Sequence, residues 1–368
     1  MTPKAIHPLF EPITIGKTPL KNRIVMAPMT RNRSDDEQHL ANGLMAEYYG
    51  QRTGAGLIIS EGIFVSPAAA GYIRVPGLYT KEQTASWKQV TDTVHHEGGK
   101  IFAQLWHTGR ISHPDFHRGR LPLAPSAINP RVETYTKYGR QDTVTPKAMS
   151  PEEINATIAD FKKAATNAME AGFDGIEIHA ANGYLFHQFL ARCANTRTDR
   201  YGGTIENRCR FLLETVEALL PGIGAENTGI RLNPDLSDSF GITVDESTRP
   251  TFDFLVEKLN AYNLAYLHLS GFSKSGTTLS PLDEVLDMAA HFRKIYSGNL
   301  MINRGFNAQT AAEAIQKGIT DMVSFGIPFI ANPDLADRFR NNLPMNKADR
   351  TTFYSKGEKG YTDYPLIK

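Results

Sequence analysis

The stretch Arg23-Ile-Val-Met-Ala-Pro-Met-Thr-Arg31 decides the fold. It opens with an apolar run of strand length, residues 23–27. A doubly wound sheet would follow its first strand with a glycine-rich phosphate loop. Pro28-Met-Thr-Arg31 follows instead, without a glycine. Working outward, strand-sized apolar runs recur at residues 57–60, 100–104, 175–178, 229–232, 266–269, 300–303 and 322–325. Helical periodicity lies between them, for example over residues 152–171, 205–220, 249–262, 282–296 and 309–317. Eight β-then-α units with near-continuous apolar strands predict an α/β fold, a (β/α)8 TIM barrel, as one domain over residues 1–368.

Local signals agree with this frame. Ser150-Pro-Glu-Glu153 has the shape of a capping box with proline at the first helical position. Gly172 and Gly318 sit where helices should stop. Residues 1–20 precede the first strand, and Gly16 with Pro19 suits an N-terminal hairpin that plugs the barrel bottom. The connection after the third strand, residues 108–149, is long and rich in Pro, Gly, Arg and Thr. Such a loop is a lid or binding loop, or else a disordered insertion.

Composition narrows the function classes. Lys+Arg 40 against Asp+Glu 39 leaves a net charge of +1, with no basic surplus for nucleic acid or an anionic membrane. A hydrophobic content of 41% is ample for a core, yet the longest apolar runs are too short to span a bilayer. The N-terminus lacks the pattern of a signal peptide. Cys193 and Cys209 are too few for a disulfide framework or a zinc site and read as free thiols in a reducing cytoplasm, so a cytoplasmic location is expected. His95-His96 and His113…His117 lack a carboxylate at metal-binding spacing, so no metal is expected. No Gly-x-Ser-x-Gly, P-loop or Gly-x-Gly-x-x-Gly motif occurs.

In such barrels chemistry sits at the carboxyl ends of the strands. Pro28, Met29 and Thr30 follow strand 1, Gly62 strand 2, and Gln104 and Trp106 strand 3. His179, Asn182 and Tyr184 follow strand 4, and Arg231 lies in strand 5. Ser270 and Phe272 follow strand 6, Asn303, Arg304 and Gly305 strand 7, and Gly326 strand 8. His179, Asn182 and Tyr184 pair two hydrogen-bond donors with a phenol able to give a proton. That suits a reaction in which a carbonyl oxygen gains charge while a neighbouring carbon gains a proton. A buried polar turn explains the same three residues. Gln104 and Arg231 are costly inside a barrel unless something polar or anionic meets them. Glycines at the ends of strands 7 and 8 are placed to hold a phosphate, or are turn residues only. Phosphate grip, amide and guanidinium donors and a proton donor together fit a flavin mononucleotide (FMN) site.

The ordered motifs resemble the Old Yellow Enzyme family of FMN-dependent ene-reductases over nearly the whole chain. They run through residues 22–31, 55–61, Gln104-Leu-Trp-His107, Gly109-Arg110 and Ala124-Pro-Ser126. Residues 179–190, Arg197-Thr-Asp-x-Tyr-Gly-Gly203, 329–335 and 360–365 complete the set. The resemblance implies roles. Thr30 tunes the flavin near its C4 carbonyl. Gln104 and Arg231 bind the pyrimidine edge of the ring. Pro28, Met29 and Gly62 contact the flavin, and Gly305 and Gly326 the phosphate. His179 and Asn182 hold the substrate's activating oxygen, and Tyr184 is the proton donor. Tyr72, Trp106, Phe240, Phe272 and Tyr354 line the substrate pocket. Thr30 is similar to the branch with threonine, rather than cysteine, at this position.

One departure matters. Family members carry Arg after the Gly that ends strand 8, where it grips the FMN phosphate. This chain reads Ser324-Phe-Gly-Ile-Pro328, with Ile327 in that place. Arg304, on the adjacent strand end, is either a substitute or an outward salt-bridged residue. The implied reaction has two halves: NADPH or NADH gives hydride to FMN N5, and the flavin passes it to an alkene activated by a carbonyl, imide or nitro group while Tyr184 supplies the proton. The partners expected are small-molecule alkenes, with no nucleic acid and no membrane, in a monomer or homodimer. A phosphosugar aldolase or isomerase would need a lysine or paired carboxylates at strand ends, and a flavin carrier would not need Tyr184, His179 and Asn182.

Overall fold

The computed structural model describes residues 3–35, 37–271 and 280–367. A 3-10 segment (Pro3–Phe10) leads into a hairpin of β1 (Ile13–Ile15) and β2 (Thr18–Leu20). There follow β3 (Ile24–Met26), helix α1 (Gly43–Gly50), β4 (Leu57–Phe64), α2 (Lys81–His96) and β5 (Ile101–Trp106). Short strands β6 (Leu123–Ala124), β7 (Glu133–Thr136), β8 (Gly139–Asp142) and β9 (Lys147–Ala148) occupy the long connection. Then come α3 (Pro151–Glu170), β10 (Gly175–Ala180), α4 (Leu185–Leu190), α5 (Ile205–Ile223), β11 (Thr228–Leu232), α6 (Thr248–Leu259) and β12 (Tyr266–Ser270). The chain closes with α7 (Pro281–Arg293), β13 (Leu300–Asn303), α8 (Ala308–Gln316), β14 (Met322–Phe325), α9 (Ile327–Ala331) and α10 (Leu335–Asn341).

Strands β3, β4, β5 and β10 to β14 form a closed barrel in chain order, every neighbouring pair parallel. This is the (β/α)8 barrel expected from the sequence. Its strands read as continuous apolar runs because both faces are buried: β4, β5, β10, β11 and β12 are buried at every residue. The capping box at Ser150 and Glu153 forms at the start of α3. Gly172 and Gly318 follow α3 and α8 with positive φ, +88° and +67°, a conformation that glycine adopts without strain.

The hairpin plugs the bottom of the barrel. Ile15 and Leu20 pack with Val25, Leu57, Ile59, Phe102, Tyr266, Met301 and Met322. Gly16 turns it with φ +52°, and a Cβ there would run into the Glu226 carbonyl. Strand β4 runs past the predicted end at Ser60 because a register shift between Ile59 and Gly62 carries it on. Most polar groups at that irregularity find partners, although Glu61 Oε2 is buried without one. Ser60 Oγ donates to Glu61 O at 2.8 Å and accepts from Gln104 N at 3.0 Å, and Tyr49 Oη donates to Glu61 Oε1 at 3.4 Å.

The connection after β5 is ordered rather than a disordered insertion. β6 pairs with β9, and β7 pairs with β8 as a hairpin. Thr134 Oγ1 donates to Gly71 O at 2.9 Å and ties that hairpin to the segment after β4. Of the histidines read as lacking carboxylates, His95, His96 and His113 have them, while His117 Nε2 meets Ser112 Oγ at 2.8 Å. His95 Nε2 lies 2.9 Å from Asp174, brought in from the start of β10, and His96 and His113 meet nearby Glu97 and Asp115. These are pairs, and no cluster of three His, Cys, Asp or Glu side chains suited to a metal occurs among the described residues.

Candidate active site

A cavity of about 390 Å³ opens at the carboxyl ends of the barrel strands. Pro28, Met29, Thr30, Gln104, Trp106, His179, Asn182, Tyr184, Arg231, Gly326, Ile327 and Tyr354 line it, together with Asn303, Ile330 and Phe353. A second cavity of about 710 Å³ shares Thr30, Trp106, Tyr184 and Tyr354 with the first and adds Tyr72, Phe240 and the β7–β8 hairpin. The two adjoin at the carboxyl end of the barrel. Residues from every part of the chain thus meet at one end of the barrel, as pockets of this size require for a cofactor or small ligand.

The wall formed after β10 is built by backbone geometry. Asn182 and Gly183 both have positive φ, +56° and +75°. Asn and Gly are the residues that tolerate this best. A Cβ on Gly183 would lie 2.7 Å from the Phe240 Cβ. The tight turn presents His179, Asn182 and Tyr184 to the same chamber. Asn182 Oδ1 accepts from Asn233 Nδ2 at 3.3 Å, which leaves the amide nitrogen of Asn182 to donate.

His179 is buried, and burial, with Arg231, His268 and His187 nearby, pushes its pKa well below the usual range. The imidazole is therefore neutral, and its buried Nδ1 has no partner in the protein. Tyr184 is 8% exposed and meets Tyr72 Oη to Oη at 3.0 Å. Burial and the neighbouring tyrosines push the Tyr184 phenol well above its usual pKa, so it keeps its proton at neutral pH. The Trp106 ring stands edge-on to it, with centroids 4.8 Å apart, and holds it in place.

Gln104 and Arg231 face the chamber from β5 and β11. Gln104 Nε2 donates to Glu177 Oε1 at 2.8 Å. Arg231 Nη2 donates to Ser270 Oγ at 3.0 Å and Asn303 Oδ1 at 3.2 Å, while its Nε and Nη1 are buried without partners. Burial lowers the Arg231 pKa, and Glu177 opposes this. A buried guanidinium with two unmet donors calls for an electron-rich ligand. Flavin carbonyl and ring-nitrogen acceptors answer that need, and the chamber's donor set fits FMN.

The other expected residues fall around this chamber. Gly62 does not line it, and the absence of a side chain there makes room for the Trp106 ring. Gly326 precedes the short helix α9, and Ile327 begins it, 51% exposed. Arg304 and Gly305 lie just past β13, outside the lining of the chamber. Arg304 Nη1 donates to Gly271 O at 3.2 Å; burial lowers its pKa, and Glu284 nearby opposes this. Phe272 lies outside the described residues.

Two supports escaped the sequence reading. Arg31 donates to Phe353 O at 3.1 Å and Gly360 O at 2.7 Å, beside the stacked rings of Tyr48 and Tyr361. Arg33 donates to Phe353 O at 2.9 Å and Thr352 O at 2.9 Å. Together they latch the C-terminal segment that brings Phe353 and Tyr354 to the site. The second support is Glu177 with His268, both fully buried beneath the chamber. Neither pair had a local signal, since their partners are remote in sequence.

A parallel barrel whose carboxyl end combines a guanidinium with two unmet donors, a neutral histidine and a protonated tyrosine fits a flavin-dependent oxidoreductase. Residues 8–346 match the NADH:flavin oxidoreductase / NADH oxidase family. The chain is 39% identical to a probable flavin mononucleotide-dependent alkene reductase of Leishmania infantum, over 99% of each chain. Among solved structures it matches morphinone reductase in complex with tetrahydroNAD, at 42% identity and a TM-score of 0.91 over 98% of each chain. It also matches the Old Yellow Enzyme homologue of Zymomonas mobilis, at 39% identity and a TM-score of 0.92 over 98% of this chain and 99% of that one. This chain belongs to the Old Yellow Enzyme family of FMN-dependent ene-reductases. It is an oxidoreductase that uses FMN and a reduced nicotinamide to reduce activated alkenes. No described helix is long and apolar enough to cross a membrane.

Proposed function

We propose that the chamber reduces the C=C bond of α,β-unsaturated carbonyl, imide or nitro compounds, with Tyr184 as the proton donor. The observation that carries this reading is the shared wall of Tyr184, His179 and Asn182, with the phenol protonated and the imidazole neutral. FMN, which Gln104, Arg231 and Thr30 would hold, would supply the hydride chemistry. His179 and the Asn182 amide nitrogen donate to the substrate oxygen as it gains charge. Tyr184 gives its proton to the carbon next to the activating group. Trp106, Tyr72, Phe240 and Tyr354 enclose the substrate and limit water. Phe272 keeps the same assignment, outside the described residues.

For the cofactor, Gln104 and Arg231 hold the pyrimidine edge, Thr30 the C4 side, and Pro28, Met29 and Gly62 the flavin flank. Gly305 and Gly326 hold the phosphate by backbone N–H, with Ile327 beside it and Arg304 as the nearby cation. The chain acts as one unit, residues 1–368, on small molecules and inside the cytoplasm. An aldolase reading is weakened because no lysine lines the described chamber.

Tyr184→Phe tests the reading. Enone reduction by the prereduced enzyme should slow about 10²–10⁴-fold, the range of general acid catalysis. Flavin reduction by NADPH or NADH, followed by stopped-flow, should hold. An enone rate within about twofold, near 0.4 kcal/mol, assigns the proton to another source.

A further inference from the structure

Glu177 stands on the same face of β10 as His179, one layer deeper in the barrel. It is fully buried, and both its oxygens are engaged. Oε1 accepts from Gln104 Nε2 at 2.8 Å. Oε2 lies 2.8 Å from His268 Nδ1, and His268 Nε2 lies 2.8 Å from Ser324 Oγ. In the parallel registers Glu177 sits opposite Gln104, and His179 opposite Arg231, which in turn sits opposite His268. The carboxylate is thus the floor on which the cofactor-facing side chains stand. It has no access to the chamber itself.

Two consequences follow from its chemistry. A primary amide has an NH₂ end that donates and a carbonyl end that accepts. An ionised carboxylate only accepts, so it holds the NH₂ end of Gln104 downward and turns the carbonyl into the chamber. Glu177 is ionised there, because His268, Arg231 and Gln104 outweigh the effect of burial and lower its pKa. His268 is neutral, pushed down by burial and by Arg231. The negative charge of Glu177 therefore offsets the Arg231 cation, whose Nε and Nη1 remain unmet in the protein. An offset cation draws charge from a ligand less strongly than a bare one.

We infer that Glu177 is a positioning residue of the cofactor site: it presents the Gln104 carbonyl to the flavin and tempers the Arg231 charge that the reduced flavin meets. This rests on the proposed roles of Gln104 and Arg231. It makes Glu177, which touches neither cofactor nor substrate, a setter of flavin affinity and potential.

The test is Glu177→Gln, of equal shape and no charge, in the FMN-loaded enzyme. Its fold is checked by circular dichroism and thermal melting. With the Arg231 cation no longer offset, the midpoint potential of bound FMN should rise by about 30 mV or more. That is a tenfold gain in affinity for reduced over oxidised FMN in a two-electron couple. Affinity of the apoprotein for oxidised FMN should fall, since a neutral amide no longer holds Gln104 one way round. Gln104→Ala should lower that affinity too, and the double variant should lose less than the two losses combined. A merely structural Glu177 would cost melting temperature and leave the potential in place. An unmoved potential with additive losses overturns the inference while leaving the site reading intact. If Gln104→Ala and Arg231→Lys both leave FMN affinity unchanged, the site reading fails and the inference with it. Should Glu177→Gln not fold, unaltered protein loaded with FMN labelled with ¹⁵N at N3 decides. A slowly exchanging N3–H that is lost in Gln104→Ala supports the carbonyl-up amide, and a freely exchanging one refutes it.

Discussion

Placing an arginine at position 327 should tighten the grip on FMN. Ile327 begins α9 at the rim of the chamber and is 51% exposed. Its side chain buries little, so a long polar one can replace it without leaving a cavity. A charge-assisted hydrogen bond to a phosphate is worth about 1.5–3 kcal/mol. Half-exposure lets water screen the pair, which favours the lower end, about 1.5 kcal/mol or roughly tenfold in affinity. The assay strips FMN from both proteins and titrates it back, following flavin fluorescence, at two salt concentrations. The gain in Ile327→Arg should shrink at high salt. Arg304→Ala is the companion. If Arg304 already neutralises the phosphate from beside β13, that variant sheds FMN and the gain from Ile327→Arg is small. If neither variant changes the affinity, neither position 327 nor Arg304 reaches the phosphate, and another group holds it.

Other outcomes follow from the same geometry. His179→Ala and Asn182→Ala should each weaken phenolic ligands and slow enone reduction by about 1.5–3 kcal/mol, with flavin reduction less affected; unchanged enone kinetics in the double variant would falsify the oxygen-binding role. Gly183→Ala should cost about 1–2 kcal/mol for the left-handed backbone alone, and more because its Cβ meets Phe240 at 2.7 Å. Its melting temperature should drop, and enone turnover should fall with it as Tyr184 shifts; a variant with unaltered melting and turnover refutes the turn as the element that aims Tyr184. Glu61 is fully buried, and burial raises its pKa from 4.5 to about 8, against Arg31. A raised pKa in the folded state gives stability that is complete below pH 4.5 and is lost as pH rises through about 8. The full span is worth about 5 kcal/mol at most. Urea unfolding from pH 4.5 to 8.5 should show the decline, and Glu61→Gln should flatten it; parallel curves for both proteins exclude Glu61 as the cause.

Much of the site was legible because barrels put chemistry at strand ends, and strand ends can be read. His179, Asn182 and Tyr184 lie within six residues at such an end, and the turn that aims them is written in Asn182-Gly183. Gln104, Arg231 and Gly326 were found the same way. Gly62 was read as a flavin contact for the same positional reason, and its missing side chain also makes room for the Trp106 ring. The register shift in β4 decides that, and a shift of register leaves no mark in an apolar run.

The sequence by itself determined the eight-unit barrel, its hairpin plug and the end at which the chemistry lies. Those follow from local periodicity, caps and turn residues, which act within a few positions. The tertiary structure alone decided the layer beneath and the latch above. Glu177 meets His268 and Gln104 meets Glu177 across 91 and 73 residues of chain, and Arg31 reaches Gly360 across 329. Buried polar groups must find partners wherever the closed barrel brings them. Which partner that is depends on strand register and barrel closure, and neither is a property of any one stretch of sequence.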